Sequence, residues 1–239
     1  MKLVAISGGS RGLGLALAKG YLEAGYQVVE FSRSAPHAFS VPADFSDPEG
    51  ARAAVAAELG RLAALEYQEI VIVNNAATVQ PIGPTSRKEP AEVLYSLNVN
   101  VSSAVLFLSE AIRKFQAHPC RKTIVNISSG AALRPYYGWS LYCASKACLE
   151  TFVRSVALEQ GAEPHPFLAI SIEPGIIDTE MQAAIRASSE HDFPDLKRFV
   201  ELKRSGALRS AEQVADAIRS IVRQNHGNGV RYEVRDFAG

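Results

Sequence analysis

Tyr142 and Lys146 stand four residues apart in the run Ser140-Leu141-Tyr142-Cys143-Ala144-Ser145-Lys146. On a helix, positions i and i+4 share a face, so a phenol and an ammonium can meet there. A phenol titrates near pH ~10, too high for acid–base work near neutrality. A positive charge beside it favours the phenolate and lowers that value. The pair is therefore one way to build a proton-transfer group. Alone it says little, because a packed tyrosine and a solvated lysine at this spacing are common. Ser129, 13 residues before Tyr142, supplies a hydroxyl upstream of the pair.

A second chemical feature opens the chain. Residues 2–7 read as a short buried strand, and Gly8-Gly9-Ser10-Arg11-Gly12-Leu13-Gly14 follows, running into a helical stretch. A strand, a Gly-rich turn and a helix leave free backbone N–H groups and a helix dipole where a pyrophosphate can dock. Glycine is needed because a side chain would block the phosphate or the tight turn. The spacing Gly8-x-x-x-Gly12-x-Gly14 differs from the commoner G-x-G-x-x-G.

Together these features resemble the short-chain dehydrogenase/reductase family, over nearly the whole chain. Asn74-Asn75-Ala76-Ala77 stands after an apolar strand where the family has Asn-Asn-Ala-Gly, with Ala77 in the place of the glycine. If that position needs positive φ, Ala77 carries strain. Asn100 stands where the family's helix-borne catalytic Asn falls; Asn98 is its competitor, and the following Val-Ser-Ser favours Asn100. Ile124-Val125-Asn126-Ile127-Ser128-Ser129 matches the strand that ends in the catalytic Ser, and the family's Ser-to-Tyr spacing selects Ser129 over Ser128. Pro174-Gly175-Ile176-Ile177-Asp178-Thr179 matches the Pro-Gly segment, whose later Thr contacts the cofactor.

The resemblance implies an oxidoreductase that reduces carbonyl groups with NADP(H). Tyr142 is the expected acid, Ser129 the donor to the carbonyl oxygen, and Lys146 the group that lowers the tyrosine pKa and binds the nicotinamide ribose. Asn100 is expected to hold a water between Lys146 and solvent. The cofactor set it implies is Gly8, Ser10, Arg11, Gly12, Leu13, Gly14, Ser32, Arg33, Asp44, Asn75, Ala76, Tyr142, Lys146, Pro174, Gly175, Ile177 and Thr179. Ser32 falls where NAD-preferring members carry an acid, and Arg33 follows it. Two guanidiniums, Arg11 and Arg33, with a hydroxyl suit a 2′-phosphate better than a diol. Glu30, two residues early, is the alternative acid.

Within the family the likeness is to sepiapterin reductases and bacterial benzil reductases. It lies in 135–143, around Trp139, in 178–182, which holds Met181, and in 229–236, which holds Glu233. These three residues are the expected substrate contacts. The implied substrate is a small dicarbonyl compound, a benzil-like α-diketone in preference to a pterin. A non-catalytic NADP(H)-sensing protein would keep the Gly-rich turn and lose the Tyr/Lys pair. A nucleotide-sugar epimerase of related fold would carry a larger C-terminal domain than this chain has room for.

These groups need a scaffold. Apolar strand segments at 2–7, 27–32, 39–43, 69–74, 122–128, 167–173 and 229–234 alternate with helical stretches at 13–24, 47–62, 88–116, 139–160 and 210–224. Ser46-Asp47-Pro48-Glu49 and the capping box of Ser210 with Gln213 mark helix starts. The alternation predicts an α/β fold: one Rossmann-type domain, 1–239, with a doubly wound parallel sheet of seven strands and helices on both faces. The polar segment 178–209 interrupts the pattern and is expected to form helices over the substrate.

With 47% hydrophobic and 21% charged residues in 239, the composition is that of an ordinary globular chain. A formal charge of +0 provides no global field for nucleic acid or membrane. No apolar run of spanning length and no signal peptide is read, so no membrane association and a cytoplasmic location are expected. Cys120, Cys143 and Cys148 read as free thiols in a reducing compartment. His37, His118, His165, His191 and His226 fall in polar stretches and form no metal motif. The long helical stretches 88–116 and 139–160 are where the family dimerises, so a homodimer or homotetramer is expected.

Overall fold

The computed structural model describes residues 1–224 and 227–237; His226 lies outside the described residues. Seven strands form one sheet: β1 (Lys2–Ser7), β2 (Gln27–Ser32), β3 (Ser40–Pro42), β4 (Glu69–Asn74), β5 (Arg121–Ile127), β6 (Phe167–Glu173) and β7 (Arg231–Glu233). All pairs are parallel, in the order β3-β2-β1-β4-β5-β6-β7. The expected strands were longer at both outer edges; β3 and β7 pair over three residues each.

A sheet covered on both faces needs apolar residues on both sides of each strand. β1 shows this directly. Leu3 and Ala5 enter one core, with Phe31, Ile70, Phe107, Phe115 and Phe167. Val4 and Ile6 enter the other, with Leu17, Val71, Val214 and Ile218. The first face is covered by α2 (Pro48–Leu62), α4 (Ser103–Phe115) and α5 (Ser140–Gln160), the second by α1 (Gly12–Glu23) and α8 (Ala211–Arg223). Asp47 caps α2 by accepting from Gly50 N at 3.2 Å, and Ser210 and Gln213 form the capping box of α8.

The stretch expected as one helix at 88–116 is interrupted. α3 (Pro90–Leu97) passes through a π-turn at Asn98–Ser102 into α4. The cause is a tertiary contact: Asn100 Oδ1 accepts from Thr78 N and its Nδ2 donates to Thr78 O, both at 2.8 Å. Joined, these pieces make a 26-residue helix, Pro90–Phe115, long and apolar enough by composition to cross a membrane, which corrects the expectation that no such run exists. Its Phe107, Leu108, Ala111 and Phe115 instead sit buried against α2 and the sheet, as a core helix's apolar stripe does.

Between β6 and α8 the polar segment folds as expected into short helices, α6 (Glu180–Arg186) and α7 (Leu196–Arg204). The strand order turns at β1, which pairs with β2 on one side and β4 on the other. A crevice beyond the C-terminal ends of such strands is where α/β sheets bind ligands. The Gly-rich turn, Asn74–Thr78, Ser128–Ser129 and Pro174–Thr179 all follow C-terminal strand ends.

Candidate active site

The Gly-rich turn is held by backbone geometry that few side chains permit. Gly8 has φ +71° and Gly12 φ +54°. A Cβ at Gly14 would lie 2.1 Å from the Gly8 carbonyl oxygen, so α1 starts hard against the strand end. Asn75 Nδ2 donates to Ser7 O at 3.2 Å and to Gly8 O at 2.8 Å. Ser7 Oγ accepts from Asn75 N at 3.0 Å and from Ala76 N at 3.1 Å. The two loops are thus one unit. Ala77 escapes the expected strain, since among the described non-glycine residues only Ala35 has positive φ. Thr179 sits at the N-cap position of α6 without capping it, with Cγ2 3.5 Å from where a Gly12 Cβ would stand. Gly175 turns the Pro174 segment with φ +79°, and Ile177 bridges to Arg209. A turn that excludes side chains at the mouth of α1, with Thr179 packed beside it, fits a dinucleotide's pyrophosphate.

The end of β2 differs from expectation. Ser32 is buried, and its hydroxyl donates to Glu30 Oε1 at 3.0 Å and accepts from Ala35 N at 3.2 Å, so it is committed within the protein. Glu30 is fully buried and accepts from Gly9 N at 3.0 Å and from Ser40. It braces the Gly-rich turn and presents no acid to a ribose. Arg33 is exposed and forms no ion pair with a described residue. Arg11 is exposed and pairs with Glu180 of α6. Asp44 Oδ1 accepts from Ser46 N at 2.9 Å and Ser46 Oγ at 2.8 Å, closing a turn.

Ser129, Tyr142 and Lys146 come together as expected. The Ser128 hydroxyl points to Glu150, whereas the Ser129 hydroxyl lies beside the Tyr142 phenol and lowers its pKa. Tyr142 and Lys146 are both buried, and the lysine Nζ lies 5.7 Å from the tyrosine ring centroid. Burial dominates both titrations. It pushes Tyr142 up to about 12 and Lys146 down to about 8, with the Glu150 charge opposing it at Lys146. The expected lowering of Tyr142 by Lys146 is therefore not what the structure has. Lys146 Nζ instead donates to Ile127 O at 2.7 Å. Asn100 is spent on Thr78 and, at 3.5 Å, on Ser96, while Asn98 donates to Ser46 O.

Trp139 is buried in an aromatic cluster next to the phenol. Its ring lies 5.5 Å from Tyr142 at a steep angle and stacks on Phe193 at 4.6 Å and 15°. Phe199 of α7 meets both rings edge-on, and Met181 packs at the cluster's edge. Glu233 lies elsewhere: its carboxylate is bridged by Arg231 at 2.9 Å and Arg235 at 2.5 Å. Sequence reading missed Phe193, Phe199, Glu150 and Arg231. Only Glu150 left a signal, standing one turn after Lys146 on the same helix face.

Comparison with known proteins agrees with this geometry. The family model for short chain dehydrogenases matches residues 2–190. Benzil reductase ((S)-benzoin forming) of Bacillus subtilis (strain 168) is 37% identical over 242 residues, covering 99% of this chain and 100% of that one. Sepiapterin reductase of Bos taurus is 33% identical over 194 residues, 77% of this chain and 68% of that one. The crystal structure of the KRED1-Pglu enzyme superposes with a TM-score of 0.82 at 29% identity, over 97% of this chain and 100% of that one. This chain belongs to the short-chain dehydrogenase/reductase family, whose members are oxidoreductases that act on CH–OH and C=O groups with a nicotinamide cofactor.

Proposed function

We propose that this protein is an NADPH-dependent reductase of small dicarbonyl compounds, with benzil-like α-diketones its substrate class. The observation that carries the reading is the Ser129–Tyr142–Lys146 set beside the buried Trp139 cluster. The full-length likeness to a benzil reductase agrees with it.

The Gly8–Gly14 turn, Asn75, Thr179 and Lys146 would hold the dinucleotide, with Arg33 on its 2′-phosphate and Arg11 joining it on leaving Glu180. When bound, the nicotinamide supplies hydride to a carbonyl carbon. Tyr142 donates its proton to the oxygen as charge develops there. A phenol held near 12 keeps that proton at neutral pH, as an acid for reduction must. Ser129 donates a hydrogen bond to the same oxygen. The Lys146 ammonium lowers the cost of the negative charge left on Tyr142 as the proton departs. Burial of Glu30 against the Gly-rich turn favours phosphate over diol, because its carboxylate is not offered to a ribose. Flat aromatic substrates suit a cluster built from Trp139, Tyr136 and Phe193.

A pterin substrate is the second reading, and Glu233 disfavours it. A carboxylate already bridged by two guanidiniums is a poor partner for the guanidine-like edge of a pterin ring. The absence of a paired thiol among Cys120, Cys143 and Cys148 fits the proposed cytoplasmic location. The test is steady-state reduction of benzil, aliphatic diketones, sepiapterin, aldehydes and sugars with NADPH and with NADH. We expect the highest kcat/KM for benzil with NADPH. Efficient turnover of sugars alone, or an NADH preference, contradicts the reading.

A further inference from the structure

Beneath the proposed catalytic set lies a cluster of charges that the reaction as drawn leaves unused. Glu150 follows Lys146 by one turn on α5 and is 6% exposed. One of its oxygens accepts from the Ser128 hydroxyl and from Arg231 Nε at 3.0 Å. Arg231, on β7, spends its remaining nitrogens on Glu233 at 2.9 Å, on Glu173, and on the Ser129 carbonyl at 3.4 Å. A planar guanidinium with five donors suits such a hub. Three carboxylates, Glu150, Glu173 and Glu233, thus face Arg231, Arg235 and Lys146.

We propose that Glu150, oriented by Arg231, is a positioning residue that acts through Lys146: its carboxylate, one helical turn away, keeps the buried lysine in its ammonium form. Burial alone works against that form, lowering Lys146, and the Glu150 charge is what opposes it. Arg231 does two things here. It fixes the carboxylate and shares its charge, and it ties β7 to the backbone of Ser129. Beside Lys146 stand Tyr142 and Glu150 on α5; Glu173 at the end of β6 acts on Tyr142, and Arg231 on β7 pairs with Glu150, Glu173 and Glu233. Arg154 lies one turn further along α5, donating to the Glu150 backbone carbonyl at 3.4 Å.

This inference rests on the proposed role of the Tyr142–Lys146 pair, and the test separates the two. The measurement is the pH profile of kcat for NADPH-dependent benzil reduction in wild type, Glu150→Gln, Glu150→Asp and Arg231→Gln. Wild-type kcat should fall as pH rises past about 8, where Lys146 loses its charge. In Glu150→Gln that limb should move to lower pH by roughly a unit. The rate would then be near wild type at pH 6 and about fivefold lower at pH 8. Glu150→Asp should restore much of the wild-type limb. In Arg231→Gln the limb should move the other way, because the carboxylate then acts on Lys146 undivided. Thermal midpoints at pH 6 report folding, and if Arg231→Gln does not fold, the two Glu150 variants decide. An unmoved limb in Glu150→Gln, or an equal loss of rate at every pH, overturns the proposal. If instead Tyr142→Phe keeps wild-type turnover, the underlying reading fails, whatever Glu150 does.

Discussion

In the proposed reaction Tyr142 meets two demands at once. It must be buried beside an aromatic cluster to exclude water, and it must give up a proton there. Burial secures the first and raises the phenol to about 12, so the second depends on Ser129 and on the charge of Lys146. The proposed selection of the cofactor is simpler. Arg33 is exposed and makes no ion pair with a described residue, so it can meet a phosphate at little cost. Arg33→Ala should weaken NADPH by roughly ten- to a hundredfold, the value of a charge-assisted hydrogen bond, and leave NADH nearly unchanged. Fluorescence titration of both cofactors checks this, and an equal loss for the two would assign Arg33 a structural role. Gly14→Ala should lower stability by about 1–3 kcal/mol, because the new methyl meets the Gly8 carbonyl at 2.1 Å; a thermal melt reads it. At this scale the sequence disclosed the residues whose spacing is local: Tyr142 with Lys146, the glycines, Asn75. It misplaced Ser32 and did not disclose that Glu30 braces the Gly-rich turn, because which side chain a buried hydroxyl bonds depends on strand register across β2 and β3.

Among the elements, the segment holding α6 and α7 carries the most consequence for substrate choice. It docks through Asp192, which pairs with Arg87 at 2.6 Å and whose backbone oxygen lies 2.2 Å from where a Gly138 Cβ would be. Phe193, next to it, is fully buried against Trp139. Phe193→Ala should raise KM for benzil far more than for a small aliphatic diketone and speed proteolysis within 188–195. Equal KM changes for both substrates would argue that Phe193 is only packing. Gly138→Ala should have a similar effect on KM through a different cause, since φ +81° and the Asp192 contact both forbid the side chain. Sequence inspection located this segment by its broken periodicity but could not see that Phe193 and Phe199 bury into the active-site cluster. They stand in a largely polar stretch, and the partner that buries them is far away in the chain. The π-turn was hidden for the same reason, since a tertiary clamp from Asn100 to Thr78 creates it.

For the whole molecule, alternation of apolar strands and helices was enough to give the seven-stranded parallel sheet, because such a pattern leaves few ways to cover both faces. The three-residue edges β3 and β7 were read too long, as edge strands lack a second neighbour to hold their ends. Leu158 and Leu94 remain exposed on α5 and α3, at 83% and 61%. The proposed homo-oligomer would give them a partner, and light scattering should report a mass at least twice that of one chain; a monomer at micromolar concentration contradicts it. The central claim is that a buried, protonated Tyr142 completes NADPH-dependent reduction of a dicarbonyl. Its most direct test is kcat/KM for benzil with NADPH in wild type and Tyr142→Phe, together with the NADPH dissociation constant of each. The account predicts a loss of roughly 10²–10⁴-fold in kcat/KM with cofactor binding nearly unchanged. A Tyr142→Phe enzyme that reduces benzil at close to the wild-type rate would contradict it.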